Sequence, residues 1–238
     1  MPLPFQKNVA VLSFALVVVM LGMGIVIPIF PFYIQRLGAG GSAFGFLVAI
    51  AALTELVFGP FWGSLSDRVG RKPILVIGML GFGLSMVFFG ISTRLWQLFV
   101  LRALSGVLSS ATLSPAMAYI GDSTPGRERG GAMGGHGAAA GLGVILGPAL
   151  GGLLAGDSLA TPFFIGAGLA AVAAALIAVF LPESLPREAR KSDSRIGLLN
   201  LRQLSGALRS PIGVLPLLAL LVTVGTSNFE AIFSLYAV

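Results

Sequence analysis

Phe61-Trp62-Gly63-Ser64-Leu65-Ser66-Asp67-Arg68-Val69-Gly70-Arg71-Lys72-Pro73 is a short charged interruption between two long apolar stretches. The stretch before it, Ala43 to Trp62, holds one charged residue, Glu55, and the stretch after it, Pro73 to Ile91, holds none. Each is about 20 residues, the length of helix that crosses ~30 Å of hydrocarbon. Two membrane spans joined by a tight basic turn is the reading that fits both halves.

Working outward, the same unit recurs. Apolar runs cover Val9 to Phe32, Leu95 to Gly121, Gly130 to Leu154 and Pro162 to Leu181, and a seventh starts near Ile212 and continues to Val238. The first is too long for the apolar core of a signal peptide and no A-x-A-like site follows it, so it counts as a span. The fold class expected is an all-α membrane protein. Composition agrees: 56% of the 238 residues are hydrophobic and 10% charged, against roughly 25% charged in a soluble domain.

With no Cys and one His, zinc fingers, iron–sulfur sites, disulfide frameworks and thiol nucleophiles are excluded, and no metal or cofactor is expected. The net charge of +6 has a topological reading. With the N-terminus inside, twelve Lys or Arg fall in inner segments (among them Lys7, Arg68, Arg71, Lys72, Arg127 and Arg129), two fall outside (Arg36 and Arg94), and Arg102 lies within span four. This is a positive-inside distribution and needs no nucleic-acid partner. It predicts a multi-pass protein of the cell inner or plasma membrane, with its N-terminus and residues 182–210 cytoplasmic. That polar stretch separates six spans (1–181) from the segment 211–238. Its helix-compatible piece, Gly197 to Leu208, is expected along the inner surface.

Charges at mid-membrane cost roughly 2.5–3.5 kcal/mol on insertion scales, so each needs a partner, a cavity or a task. Glu230 shares one ~100° arc with Thr223, Thr226, Ser227 and Ser234, a polar stripe suited to water or substrate and to a carboxylate that loads and releases a proton; a structural hydrogen bond is the alternative. Arg102 shares a face with Ser105, Gly106 and Ser109 and must sit inside the bundle, holding a carboxylate or backbone carbonyls. Glu55, one turn from Gly59 and two from Gly63, would bind a cation or pair with Arg102. Gly143, Gly147 and Gly151 recur every four residues, followed by Gly152, which is close-packing chemistry. Pro148 there, and Pro28 and Pro31 in span one, each remove a helix hydrogen bond. Spans three and six carry almost no polar side chains and are expected at the lipid-facing periphery. His136 among glycines is a packing or relay histidine.

Some patterns mislead. Gly135-His136-Gly137-Ala138-Ala139-Ala140 matches a phosphate fingerprint but lies in an apolar helix with no preceding strand. No G-x-S-x-G element or phosphate-binding Lys loop accompanies it. An enzyme is not expected.

Several motifs together resemble the major facilitator superfamily. Gly63-Ser-Leu65-Ser-Asp67-Arg68-Val-Gly70-Arg71-Lys72 resembles its loop between spans two and three. Leu21-Gly22 with Pro28 and Pro31 is similar to the first-span motif of twelve-span drug–proton antiporters. Leu98, Arg102 and Gly106 are similar to the fourth-span motif, with Ser105 where glutamine is usual. Gly143-Val-Ile-Leu-Gly147-Pro148-Ala-Leu-Gly151-Gly152 resembles the fifth-span antiporter motif, and Asn228-Phe-Glu230 through Tyr236 resembles span seven of quinolone and multidrug efflux pumps.

The resemblance implies a six-helix bundle of 3+3 repeats plus a seventh span, a truncated version of about twelve spans. It implies a secondary transporter exporting lipophilic or cationic drugs by alternating access, driven by the proton gradient. Glu230 would couple protons or recognise cations, with Arg102 linked to coupling. Gly63, Asp67, Arg68, Gly70, Arg71 and Lys72 would form a gate latch, with Arg71 pairing to Asp122. Gly143, Gly147, Pro148, Gly151 and Gly152 would form a proton-tight contact between spans. Partners would be lipid, a small-molecule drug or metabolite, protons, and a missing second half or another chain. A transporter of one metabolite and a non-transporting membrane fragment are the alternatives.

Overall fold

The computed structural model describes residues 4–156 and 158–190, with isolated positions between 213 and 225. Six long helices account for almost all of it: α1 (Pro4–Arg36), α2 (Gly41–Val69), α3 (Arg71–Ile91), α4 (Leu95–Ser123), α5 (Gly126–Ala155) and α6 (Thr161–Phe180). All six are long and apolar enough to cross a membrane. Helices are the natural solution for such sequences, because every backbone N–H and C=O is satisfied within the segment. The expected spans one to six correspond to α1 to α6 in order. Glu230, Thr226 and Ser227, and the helix expected over 197–208, lie outside the described residues.

The 3+3 organisation is visible in which helices touch. The closest partners are α1 with α5, α2 with α4, and α3 with α6, followed by α3 with α4 and α1 with α6. Exchanging each helix for the one three places away maps α1·α5 onto α4·α2 and α3·α4 onto α6·α1, and leaves α3·α6 in place. Prolines repeat the relation. Pro60 in α2 and Pro148 in α5 lie inside their helices, whereas Pro73 of α3 and Pro162 of α6 stand in first turns, where a missing N–H costs nothing.

The core is where α1, α3 and α6 meet. Val19, Ile25 and Phe30 pack with Met79, Phe82, Met86 and Phe89, and with Ala170, Ala173 and Ile177. Among apolar neighbours, close van der Waals packing does the holding rather than escape from water. Spans three and six are thus covered on their inner sides by the rest of this bundle. Half of the α3 span is buried, against 17% of α2 and 22% of α5. The cause is small residues on α3 and α6: Gly78 stands against Ala111 and Thr112 of α4, and Gly83 against Ala170. Both helices keep an outward apolar face, including Leu80 and Leu84 of α3 and Val172 and Val179 of α6. The least covered helices are α2 and α5.

The charged interruption between spans two and three is also tighter than a loop. Helix α2 continues seven residues past Trp62, so Gly63, Asp67 and Arg68 are helical. Only Gly70 separates α2 from α3, at φ +118°, a conformation glycine adopts without steric cost. In this last stretch Ser64 and Ser66 donate to the carbonyls three residues back, and Asp67 pairs with Arg71 of α3.

Candidate functional site

At the basic end of the bundle, where α2 and α4 finish and α3 begins, Arg71 is the hub. Its side chain is only 10% exposed. Nη1 meets the Asp67 carboxylate at 2.5 Å and donates to Ser66 Oγ at 2.6 Å. Nε donates to Asp122 Oδ2 at 3.1 Å. One guanidinium thus ties the last turn of α2 to the end of α4. Its planar fork suits several acceptors at once, which a lysine ammonium does not reproduce.

The segment after α6 completes this end. Glu183 accepts the backbone N–H of Arg71 at 2.8 Å and of Lys72 at 3.3 Å. These are first-turn amides of α3, which lack partners within their own helix. The carboxylate also sits where the helix dipole favours negative charge. Tyr119 donates its hydroxyl to the Pro182 carbonyl at 2.9 Å, and Arg190 Nη2 lies 4.0 Å from Glu183. Residues 181–190 therefore strap α3 and α4 together. Sequence reading gives Glu183 no role: the Leu181-Pro-Glu-Ser184 exit from span six resembles that of the family but gives no sign of a partner over a hundred residues earlier.

The second constellation is the seam between α1 and α5. A Cβ added to Gly147 would lie 2.6 Å from Gly24 Cα, and one added to Gly143 would lie 2.8 Å from the Val17 carbonyl oxygen. Backbone lies on backbone, as the spacing predicts. Gly151 approaches Ile25, but Gly152 has open space, so it does not take part in this contact. Gly22 faces the Phe82 ring instead. Pro31 is buried and continues α1 as helix, as Pro148 does in α5. His136 is buried in α5, and neither ring nitrogen has a partner among the described residues.

The third is Arg102, two turns from the other end of α4 and 8% exposed. Its guanidinium carbon lies 5.4 Å above the Phe30 ring, and its Nε has no hydrogen-bond partner among the described residues. Glu55, half-buried on α2, interacts with it through charge, yet the two form no ion pair within 4 Å among the described residues. Helices α2 and α4 run close here. Gly106 faces Thr54 and the Ala51 carbonyl, and Trp62 Nε1 donates to the Val107 carbonyl at 2.7 Å. The structure thus joins Asp67, Gly70, Arg71, Lys72 and Asp122 at one end, sets Glu55 near Arg102 further along, and keeps Gly143 and Gly147 apart from both. No cluster of three potential metal ligands occurs among the described residues.

Six spanning helices in two interlocked repeats, with a glycine seam on one side and an ionic tie at one end, define a polytopic membrane bundle. The chain belongs to the major facilitator superfamily, whose family profile matches residues 12–238. Membership makes it a multi-pass protein of the plasma membrane. Multidrug resistance protein 2 of Bacillus subtilis (strain 168) is 34% identical over 236 residues, 98% of this chain and 59% of the relative. Quinolone resistance protein NorA of Staphylococcus aureus (strain MSSA476) is 32% identical over 233 residues, 97% of this chain and 58% of the relative. The chain thus spans about three-fifths of the length of these relatives. The crystal structure of the human organic anion transporter MFSD10 (TETRAN) superposes with a TM-score of 0.71 at 25% identity, over 88% of this chain and 54% of that one. A bacterial homolog of the human lysosomal transporter Spinster, inward-facing and unoccupied, gives 0.74 at 17% identity, over 90% and 50%, and shares the fold.

Proposed function

We propose that residues 1–181 are the first six-span bundle of a proton-coupled exporter of lipophilic or cationic drugs, joined by the linker 182–210 to a further bundle that starts in 211–238. The observation carrying the substrate class is the 32–34% identity to multidrug and quinolone resistance proteins over nearly the whole chain. The basic end is cytoplasmic, in keeping with the positive-inside distribution. Drug enters a cavity flanked by α2, α4 and α5, where Glu55 and Arg102 lie. Proton loading of Glu230, flanked by Thr226 and Ser227, drives exchange between inward- and outward-facing states. The Arg71 tie and the α1–α5 seam hold one of those states closed. The energy source is the proton gradient, with no cofactor. A second bundle, on this polypeptide or another, faces the sparsely covered α2 and α5, since substrate in such transporters sits between two repeats.

In cells expressing the protein, Glu230→Gln is expected to abolish protonophore-sensitive ethidium efflux at unchanged membrane level. Undiminished efflux by that variant overturns the assignment. A second reading, export of one anionic metabolite, is favoured by the buried Arg102, which forms no ion pair within 4 Å among the described residues, and by the likeness to a structure described as an organic anion transporter. Response to several unrelated lipophilic cations in everted vesicles excludes it.

A further inference from the structure

Arg102 poses a physical problem. A guanidinium stays charged at any ordinary pH, and this one is 8% exposed, with a buried Nε from which no described residue accepts. Among the described residues no side-chain hydrogen bond and no ion pair within 4 Å is made to it. What it does have is an aromatic face, the Phe30 ring 5.4 Å from its carbon. A ring quadrupole attracts a cation across its face, and more strongly once both are desolvated.

Phe30 is itself held rigidly. It is 1% exposed and meets Phe89 edge to face at 5.5 Å and 63°. Phe89 stacks on Phe163 at 5.8 Å. Tyr33, one turn beyond Phe30, packs against Phe163 and donates to the Ser92 carbonyl at 2.7 Å. Rings from α1, α3 and α6 therefore lock the one that lies under an α4 cation.

We propose that Phe30 is a positioning residue for Arg102. Its ring stands in for a counter-ion against one face of the guanidinium, and so keeps the N–H edge open for an acidic group that comes and goes; Glu55 is the candidate, next to Thr54, which faces Gly106 one turn along α4 from Arg102. A permanent carboxylate partner would neutralise the charge but close that edge. This rests on the reading of Arg102 as a coupling residue, and the test separates the two.

Thermal midpoints of the purified protein are compared for the parent, Phe30→Leu, Arg102→Met and the double variant. Coupling is expected: Phe30→Leu lowers the midpoint at least twice as much when Arg102 is present as it does in the Arg102→Met background. Additive effects overturn the contact. In cells, Phe30→Leu is expected to reduce ethidium efflux at least tenfold at equal membrane level, and Phe30→Tyr and Phe30→Trp, which keep a ring face, to retain at least half. Efflux by Phe30→Leu equal to the ring-bearing variants overturns the positioning role. If the parent moves no dye, the exporter reading falls and the thermal cycle alone decides whether the ring holds Arg102.

Discussion

The carboxylate of Glu183 caps a helix that begins 112 residues earlier, accepting the Arg71 N–H at 2.8 Å. It does so against Gly70, where a Cβ would collide with its oxygen. Cap and glycine are therefore one device. The glycine turns the chain at φ +118° and leaves the room that the carboxylate fills.

Gly70→Ala meets two obstacles, a backbone conformation that costs of order 1–3 kcal/mol for a residue with a side chain and the displacement of Glu183. A clearly lowered thermal midpoint in detergent is expected. A midpoint equal to that of the parent would show that α2 and α3 can be joined in another way.

Glu183→Ala leaves two first-turn amides of α3 without their acceptor, and loss of such a cap costs about 0.5–2 kcal/mol. Glu183→Gln keeps an oxygen acceptor but not the charge, and should fall between the two. Hydrogen exchange at Arg71 and Lys72 is the direct measurement, and faster exchange in the alanine variant is the expected sign.

Arg71→Lys keeps the charge but cannot serve Asp67, Ser66 and Asp122 together. The carboxylates are about a third exposed, so solvent screening holds the loss to roughly 1 kcal/mol per contact. The lysine variant should lie nearer Arg71→Gln than the parent in thermal stability. Asp122→Asn should cost less, because Asp67 and Ser66 remain.

Within the fifth-span motif, Gly147→Ala and Gly152→Ala should differ sharply. The first drives a Cβ to 2.6 Å from Gly24 Cα, backbone that cannot swing aside, and overpacking of this kind costs typically about 1–3 kcal/mol or more. The second enters open space and gains up to ~1 kcal/mol of helix propensity. Thermal midpoints of the two variants check this, and equal effects would remove the seam as the reason for the motif.

Trp62→Phe removes the donor to the Val107 carbonyl. That oxygen still accepts from Ser110 Oγ at 2.8 Å, so no acceptor is stranded and the loss should stay near ~1 kcal/mol. A loss several times larger would mean that the indole packing, not the hydrogen bond, holds α2 to α4.

The apolar runs were legible because a membrane span needs ~20 such residues in sequence, and the glycine seam because a four-residue period marks one helix face. Pairing of Arg71 with Asp122 was legible only through the motif that Asp67, Arg68 and Gly70 share with relatives. What stayed hidden depends on tertiary contact. Nothing local marks Glu183 as a cap, distinguishes Gly152 from Gly147, or reveals that α3 is covered on one side by α4 and α6. Helix α2 outran its apolar run, and its last turn is tied to α3 by the Asp67–Arg71 pair.

The strap also has a consequence for biogenesis. Arg71 leaves the ribosome 112 residues ahead of Glu183, a lag of roughly 6–22 s at ~5–20 residues per second. Through that interval the first turn of α3 has no internal acceptor for two of its amides. Only when α6 has been threaded and turned back is that end of α3 closed, so the cap records that all six helices have arrived.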